Sequence, residues 1–585
     1  MLLRNRVAAC ALVLTLSSLD ARAQVLYGSL TGNVTDSTGA AVPAAKVDAV
    51  NINTGVSRQT ATDDRGAYQF NDLQTGVYKI TISAPAFGSV TRDAVDIGGN
   101  TVRRFDAQLQ VAQLAESITV AAAGAVLQTD RADVNNSISK TQITNLPFAG
   151  NQGRNFQNLY KLVPGFTPPR ELHSDAGNPQ RALGTNVNGA SYSNNNTRID
   201  GATVSYPWLP HIVAYVPPAE AIETVNLVSN SFDAEQGMAG GSAVNVTIKS
   251  GTNEFHGSGH WFHTNSATAA RGFFFVGSNL PKNLLNQFGG TFGGPIKKNK
   301  LFFFANLERT TRRRYASAFR TVPESPLRQG DFSGVGASIF DPLTGAADGS
   351  NRELFPNARV PVSRIDPAAA KMIALIPQPN LATFPNNYFA TGTYVFNRTN
   401  ADFKVNYNPT DKSSMFVRYS ISPSDIFDPP SLEAAGGDAL TGGQPGNSPG
   451  RTQNASIGGT YAVSARVLVD GNIGFTRQRL GSQNVDIGKN YGLDDLQIPG
   501  TNGSDFLGSG RISAFCHLRF LLGRESQPVQ PLPGSGRDNQ YVRCTSAARP
   551  ARHHNPPLHK HTLPHRSIDF SSLWLYLAVK TMTDS

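Results

Sequence analysis

The sequence predicts a mainly β fold in three successive units: an N-terminal Ig-like β-sandwich, an α/β unit and an antiparallel β-barrel. Residues 24–114 contain short runs in which apolar and polar side chains alternate, separated by Gly- and Asp-rich turns. Residues 115–250 are rich in Asn and Gly and mix strand-like with helical stretches. In residues 251–510, amphipathic strands are joined by connections that are alternately short and long.

The first 23 residues predict a secretory signal peptide. Residues 1–6 are basic, residues 7–16 are almost wholly apolar, and Ala21 and Ala23 form a small-x-small cleavage pattern. The apolar run is far shorter than the ~20 residues that a membrane-spanning helix needs. We therefore expect the mature chain to be exported.

Charge and cysteine usage exclude several function classes. The net charge is +10, but residues 511–585 hold ten Lys and Arg against four Asp and Glu, and the signal peptide is also basic. The remaining body has no basic stripe with interleaved aromatic residues, so we expect no nucleic-acid partner. Of three cysteines, Cys10 lies in the signal peptide and Cys516 and Cys544 lie after residue 510. The body therefore has no disulfide framework and no thiolate metal site.

The predicted barrel strands are 255–262, 285–294, 301–311, 394–407, 415–421, 455–461 and 466–476. The connections at 297–300, 408–412 and 462–465 are short, whereas 312–392 and 422–452 are long. A large soluble β-sandwich would also contain amphipathic strands. Alternating loop lengths together with a signal peptide favour a transmembrane barrel.

Side chains along these strands alternate in polarity. Within residues 401–408, one set is expected to face lipid and the other the interior: Ala401, Phe403, Val405 and Tyr407 against Asp402, Lys404, Asn406 and Asn408. Val467, Val469, Ile473 and Phe475 repeat this arrangement, opposed by Arg466, Asp470 and Asn472.

Several motifs carry a family resemblance. They are NVNGASYSNNNTRIDG at 186–201, PAEAIE at 218–223, FDAEQG at 232–237, NVTIKSGTNEFHG at 245–257, NQFGGTFGGPI at 286–296 and LFFFANLE at 301–308. Their order and spacing resemble the plug-to-barrel junction of TonB-dependent outer-membrane receptors of the Oar-like branch, over roughly residues 24–510. The resemblance assigns plug motif residues: Asp200, Gly201, Glu235, Gly237, Lys249, Ser250 and Gly251.

This resemblance implies a location in the cell outer membrane and a plug inside a barrel of ~22 strands. It also implies uptake of a large, unidentified solute, driven by a TonB-type energy-transducing protein. The alternative is a surface adhesion or polymer-binding protein that transports nothing.

The N-terminal unit carries a second resemblance. Thr62, Asp63, Gly66, Tyr68 and Phe70 begin a spaced pattern that continues to residue 78 and resembles the carboxypeptidase-regulatory-like domain. Such domains are non-catalytic, and no His/Glu zinc triad accompanies this one. No phosphate loop, catalytic triad or paired carboxylates stand out elsewhere, so we expect neither enzymatic activity nor a cofactor.

The segment ESITV at 116–120 lies between the sandwich and the plug and resembles a TonB box; its residues are Glu116, Ser117, Ile118, Thr119 and Val120. A mobile extended segment of this kind would pair its backbone with a sheet edge of the energy-transducing partner. An ordinary linker strand is the alternative.

Two clusters of side chains could bind ligands. His256 and His260 share one face of a predicted strand, but His263 points to the other face, so we expect positions on the lumen wall or rim and no metal site. A basic run is expected at the outer rim, where it could pair with lipid phosphates or begin a solvated loop: Arg309, Arg312, Arg313 and Arg314.

The last 75 residues depart from this pattern. Residues 511–585 hold six of the eleven His, two of the three Cys and many Pro, with little alternation, which predicts an aberrant tail that is frameshifted or disordered. The apolar run at 573–579 is too short to span a membrane as a helix. With about seven legible strands the barrel is expected to be truncated, and its unpaired edges would prevent a working pore.

Overall fold

A computed structural model of the chain describes residues 27–111, 117–120, 133–150, 153–206, 209, 212–231, 236, 239–271, 280–336, 338–346, 348–464, 467–485, 491–498 and 567–581. The predicted signal peptide lies outside these ranges, as do Glu116, Glu235 and Gly237. No helix within the described ranges is long and apolar enough to cross a membrane.

The N-terminal unit is the predicted β-sandwich. Its strands are β1 (Gly28–Asp36), β2 (Lys46–Asn51), β3 (Ser57–Ala61), β4 (Ala67–Leu73), β5 (Gly76–Ser83), β6 (Ser89–Ile97), β7 (Val102–Arg104), β8 (Ala107–Leu109) and β9 (Ser117–Val120). One sheet has the order β4-β1-β7, with β8 also paired to β1, and the other has the order β3-β2-β5-β6-β9. Tyr78, Ile80 and Ile82 of β5 are buried, and they contribute with Leu30 and Val47 to the core between the sheets.

The second unit, the plug, is built on a five-stranded mixed sheet. Its elements are β10 (Val134–Ser139), α1 (Lys140–Asn145), β11 (Ala149–Gly150), β12 (Gly153–Arg154), β13 (Arg170–Glu171), β14 (Leu183–Gly184), β15 (Asn196–Ile199), β16 (Ala202–Thr203), β17 (Ile222–Asn230) and β18 (Ala243–Ile248), with 3-10 helices at Phe156–Leu162, Tyr192–Asn194 and Ala219–Ala221. The central sheet has the order β10-β17-β18-β15-β16. Phe156, Tyr215, Val225 and Val246 lie in its apolar core.

The third unit, as far as the described residues show it, is an antiparallel sheet of eight strands in sequence order. They are β19 (His256–Asn265), β20 (Asn283–Lys297), β21 (Leu301–Arg320), β22 (Tyr388–Thr410), β23 (Ser413–Asp428), β24 (Gly446–Ser464), β25 (Val467–Gly481) and β26 (Ser567–Thr581). The connections contain α2 (Ser325–Arg328), α3 (Pro367–Leu375), 3-10 helices at Ser266–Thr268, Ser333–Val335, Pro356–Ala358, Val362–Arg364 and Glu433–Ala435, and a π-helical turn at Tyr491–Asp495. Among the described residues, β19 and β26 each pair with one neighbour, so the sheet is not closed.

The predicted alternation of side chains in this sheet is confirmed. Phe403 is 49% exposed, whereas Asp402 and Lys404 are 3% and 4% exposed. On β25, Ile473 is 40% exposed and Asn472 is 3% exposed. One face of the sheet is therefore apolar and uncovered, and the opposite, polar face is covered by the plug.

Several strands extend beyond their predicted ends, and the reason is a second apolar core. The prediction that β21 ends at residue 311 is wrong, since the strand continues to Arg320 and pairs with the early part of β22. The extra residues Ala316 and Tyr388 pack with Ile426 and with Leu432 and Leu440 of the following connection. Parts of the two stretches that were predicted to be irregular are therefore β-strand. Contacts with residues of the long connections stabilise these strand extensions.

The predicted aberrant tail contributes a strand where it is described. β26 pairs antiparallel with β25 along its whole length, from Ser567 opposite Gly481 to Thr581 opposite Val467. Within the described part of the chain the sheet therefore has eight strands, one more than the seven legible in the sequence.

Gly289 of β20 provides a test of this packing. A β-carbon built on Gly289 would lie 2.2 Å from the carbonyl oxygen of Leu307 and 2.8 Å from Cα of Glu308, both backbone atoms of β21. We expect Gly289→Val to lower the free energy of unfolding by about 1–3 kcal/mol, because the strands must separate to admit the side chain. Urea unfolding in lipid vesicles measures this change.

The matched control is Gly259→Val on the adjacent strand, where a β-carbon would meet no heavy atom within 4 Å. If Gly289→Val and Gly259→Val lowered the free energy of unfolding equally, the result would contradict the close approach of β20 and β21.

Candidate functional site

The plug contacts the polar face of the sheet through a buried charge cluster centred on Asp200. The turn between β15 and β16 carries Asp200 and Gly201, both in left-handed backbone conformation, and projects the carboxylate toward the sheet. Lys404 Nζ lies 2.9 Å from Oδ1 and Arg418 Nε lies 3.1 Å from Oδ2. The three side chains are at most 5% exposed, so each charge depends on the others for compensation.

A second carboxylate balances the cluster. Asp402 is an electrostatic neighbour of Arg418 and accepts hydrogen bonds from Tyr215 Oη at 2.6 Å, Ser420 Oγ at 2.7 Å and Asn306 Nδ2 at 3.0 Å. Burial, followed by the charge of Asp402, raises the pKa of the Tyr215 phenol well above its usual value, so Tyr215 stays a donor. Asp200 of the plug and Asp402 of the sheet thus balance the charges of Lys404 and Arg418.

Phe304 of β21 packs into the apolar core of the plug, but several other contacts between plug and sheet are polar. Ser250 Oγ donates to Asn406 Oδ1 at 3.0 Å, and Asn472 Nδ2 donates to the carbonyl of Asp200 at 3.1 Å. Gln180 Nε2 donates to Ser422 Oγ at 2.8 Å. Groups of this kind can exchange their partners for water, so the interface depends less on apolar burial than a domain core does.

The described plug motif residues lie on this side of the plug, whereas Glu235 and Gly237 lie outside the described residues. Besides Asp200, Gly201 and Ser250, Lys249 Nζ donates to the carbonyl of Glu220 at 2.6 Å. Burial, and then the nearby Lys140, lowers the pKa of Lys249. Gly251 is required because a β-carbon there would lie 2.3 Å from a backbone oxygen of β21.

Sequence reasoning missed Arg154, which joins plug and sheet at another point. Its guanidinium lies between two rings, 4.3 Å from the centroid of Phe148 and 4.5 Å from that of Phe262 on β19. Glu220 lies 3.5 Å away. Burial lowers the pKa of Arg154, and Glu220 opposes that change. No local pattern signals this contact, since its partners lie far apart in the chain.

The sandwich contacts the short-turn end of the sheet. Gln74 Nε2 donates to Asn408 Oδ1 at 3.1 Å and to Ser414 Oγ at 2.5 Å. Asn253 donates from its backbone to the carbonyl of Asn53 at 2.9 Å and from Nδ2 to that of Thr54 at 2.6 Å. The sandwich therefore lies beside the turns at 297–300 and 408–412 of the sheet.

The TonB-box candidate is partly described. Ser117–Val120 forms β9, which pairs in parallel with β6, Ser117 opposite Ser89 and Val120 opposite Arg92. The segment is therefore held as the last strand of a sandwich sheet, while Glu116 lies outside the described residues.

The three histidines of β19 lie on two faces. His260 faces inward, 3.2 Å from Glu308 Oε2. His263 faces outward with its Nδ1 2.8 Å from Asn286 Oδ1. Within the described ranges, no group of three or more His, Cys, Asp or Glu side chains could hold a metal ion.

The four arginines expected at the outer rim do not share one environment. Arg309 and Arg313 lie on the outward face of β21, where they bond Thr399 and Asn397 at 2.8 and 3.1 Å. Arg312 is buried on the inward face, and Arg314 shares that face. A common lipid-facing position does not fit the structure, because strand continuation to residue 320 imposes alternation on the run.

Two family models match this chain. The model described as outer membrane beta barrel domain matches residues 247–541, half of the chain. The chain belongs to the outer membrane β-barrel family. The carboxypeptidase regulatory-like domain model matches residues 29–110, which confirms the second resemblance. The family places the chain in the outer membrane, as predicted.

One curated relative extends the comparison. The TonB-dependent transporter Oar of Myxococcus xanthus is 25% identical over 500 residues, covering 80% of this chain and 42% of the relative. The chain thus spans less than half the length of this relative. With the barrel-family match, it confirms the resemblance to Oar-like TonB-dependent receptors that the motifs indicated.

Solved structures with some likeness include outer-membrane receptors. A mutant ferric enterobactin receptor of Pseudomonas aeruginosa is 12% identical, with a TM-score of 0.35 over 60% of this chain and 41% of that one. The outer membrane transporter YddB from Escherichia coli is 13% identical, with a TM-score of 0.37 over 60% of this chain and 39% of that one.

The Asp200 cluster yields a prediction. Asp200→Asn keeps a residue that tolerates left-handed backbone but removes the charge that compensates Lys404 and Arg418. We expect a loss of about 3–5 kcal/mol in the free energy of unfolding, because two buried cations lose their partner. Urea unfolding of the chain in lipid vesicles measures it.

Asp425→Asn is the matched control, since Asp425 is exposed on the outward face of β23. We expect a change within about 0.5 kcal/mol for this control. A loss for Asp200→Asn no larger than the control's would mean that the cluster does not stabilise the interface.

Proposed function

We propose that this chain acts in the TonB-dependent uptake of a large solute across the outer membrane, with the plug as the movable element. The observation that carries the proposal is the mainly polar character of the interface between plug and sheet. Asn400, Asp402, Lys404, Asn406 and Arg418 all point from the strands to the plug and are buried beneath it.

A polar interface favours displacement of the plug. Once the plug moves, water can hydrate the side chains of both surfaces, so most hydrogen bonds are exchanged and not simply lost. An apolar interface would instead expose hydrocarbon to a water-filled lumen. The same inner face, freed from the plug, would be a hydrophilic path for a solute.

Energy for this displacement would come from a TonB-type protein of the cell envelope. The segment of β9 is a suitable attachment point because it is extended and lies just before the plug in the chain. Its backbone can pair with a strand of the partner by β-strand addition. The family relative named as a TonB-dependent transporter supports this assignment.

We therefore expect Ile118→Pro to weaken binding of the isolated C-terminal domain of a TonB-type protein at least about tenfold, because proline removes a backbone donor from the pairing strand. Binding is measured by calorimetry with the full chain in lipid nanodiscs.

Ile118→Val is the control, since it keeps the backbone N–H and the β-branched shape; its affinity should stay within about twofold. The proposal fails if the unchanged chain does not bind the partner domain, or if Ile118→Pro binds as tightly as Ile118→Val.

A further inference from the structure

Two turns of the sandwich dock on the short-turn end of the sheet. Asn253, just before β19, donates two hydrogen bonds to carbonyl groups of the turn between β2 and β3. In the same turn, a β-carbon built on Gly55 would lie 2.4 Å from Oδ1 of Asn299, which lies between β20 and β21. Gln74, between β4 and β5, donates to residues of β22 and β23. The sandwich is therefore held at separate points along the end of the sheet.

The sandwich also contacts the plug and encloses a space with it. Asn135 Nδ2 on β10 donates to the carbonyl of Asn100, in the turn between β6 and β7, at 3.0 Å. A cavity of about 430 Å³ lies between the three units, and its lining includes Gln74 of the sandwich, Lys249 of the plug and Asn406 of the sheet. The sandwich is therefore one wall of the space beside the plug motif.

The sandwich has an apolar core of its own. That core is formed by residues between Leu30 and Leu109, whereas the core of the plug includes Phe304 of the sheet. The contacts that hold the sandwich to the sheet and the plug are hydrogen bonds among amide, hydroxyl and carbonyl groups. Water can take the place of such partners, so the sandwich can leave the sheet without opening its core.

The segment proposed to bind the TonB-type protein is attached to the sandwich. The strand β9 pairs in parallel with β6, from Ser117 opposite Ser89 to Val120 opposite Arg92. The next strand of the chain, β10, is the first strand of the plug. A pull on β9 therefore acts on the sandwich through the paired backbones and on the plug through the chain.

We propose that the sandwich is a latch: while it is docked on the short-turn end of the sheet it holds the plug in place, and it must undock before the plug can leave. The inference deepens the proposed uptake function and rests on it, since it names what controls the movement of the plug. Its support is that the sandwich bridges sheet and plug, walls the cavity beside the plug motif and can leave with its core intact. A pull on β9 acts directly on the element that has to undock.

Amide hydrogen exchange of the plug, measured on the full chain in lipid nanodiscs, tests the proposal. The three cysteines are replaced by serine, and Asn53→Cys is joined to Asn253→Cys by a short crosslinker that a reductant cleaves. The pair is suitable because the backbone nitrogen of Asn253 lies 2.9 Å from the carbonyl oxygen of Asn53. We expect the crosslink to slow amide exchange in β17 and β18 about tenfold or more, because the plug opens less often while the sandwich stays docked. Reduction should restore the original rate.

The matched control crosslink lies within the sandwich. Lys46→Cys and Ala61→Cys occupy exposed positions that face each other on β2 and β3, so the same reagent can join them. This crosslink leaves the sandwich free to undock, and we expect amide exchange in β17 and β18 to change less than about twofold.

Gln74→Ala tests the latch without a crosslink, because it removes the hydrogen bonds of the sandwich to β22 and β23. We expect amide exchange in the plug to become about threefold faster or more. Gln69→Ala is its control, since Gln69 is exposed and bonds Asn71 within the sandwich. The proposal is overturned if the chains crosslinked at 53 and 253 exchange as fast as the reduced chains, or if Gln74→Ala exchanges no faster than Gln69→Ala.

The two proposals fail separately. Binding of the TonB-type domain, together with equal plug exchange in the crosslinked and reduced chains, would overturn the latch and leave the uptake function standing. Slower plug exchange in the crosslinked chain, without binding of the TonB-type domain, would support the latch and overturn the energy coupling.

Discussion

The rest of the structure depends on one constraint: each strand of the large sheet must present hydrocarbon-compatible side chains on one face and polar ones on the other. Val417 and Ile457 are more than half exposed on the outward face, whereas Arg418 and Ser456, next to them in the chain, are buried beneath the plug. Because side chains alternate strictly along a strand, the same backbone that faces lipid also supplies the polar wall on which the plug docks. The same alternation of side chains therefore determines both the face on which the plug docks and the face that contacts lipid.

Charge on that polar wall lies in two regions. Around Asp200 two carboxylates and two cations balance, which stabilises the docked plug, and polar groups there can be rehydrated when it leaves. Toward the long connections, Arg181 and Arg398 lie over the ring of Phe396, and Glu308 and Asp175 are the carboxylates near Arg398.

Much of this could be predicted from the sequence, because it follows from local rules. The period of two placed Asp402 and Lys404 inward, and the same rule applied to β23 would have placed Arg418 there. The sequence pattern predicts that the strand ends at residue 311 and so does not predict alternating positions for the arginines at 312–314. The continuation of the strand depends on contacts of Ala316 and Tyr388 with a distant loop. Pairs such as Asp200 with Lys404, 204 residues apart, arise only from tertiary docking and leave no local signal.

The contact of the outward face with hydrocarbon is tested most directly by spin-label accessibility in lipid vesicles. Val417→Cys and Ile457→Cys are labelled one at a time, with Ser420→Cys as the inward control, in a chain whose three cysteines are replaced by serine. We expect high collision rates with oxygen and low rates with a water-soluble nickel complex at positions 417 and 457, and low rates with both reagents at 420. Greater accessibility to nickel than to oxygen at 417 and 457 would contradict this expectation, because those side chains would then face water.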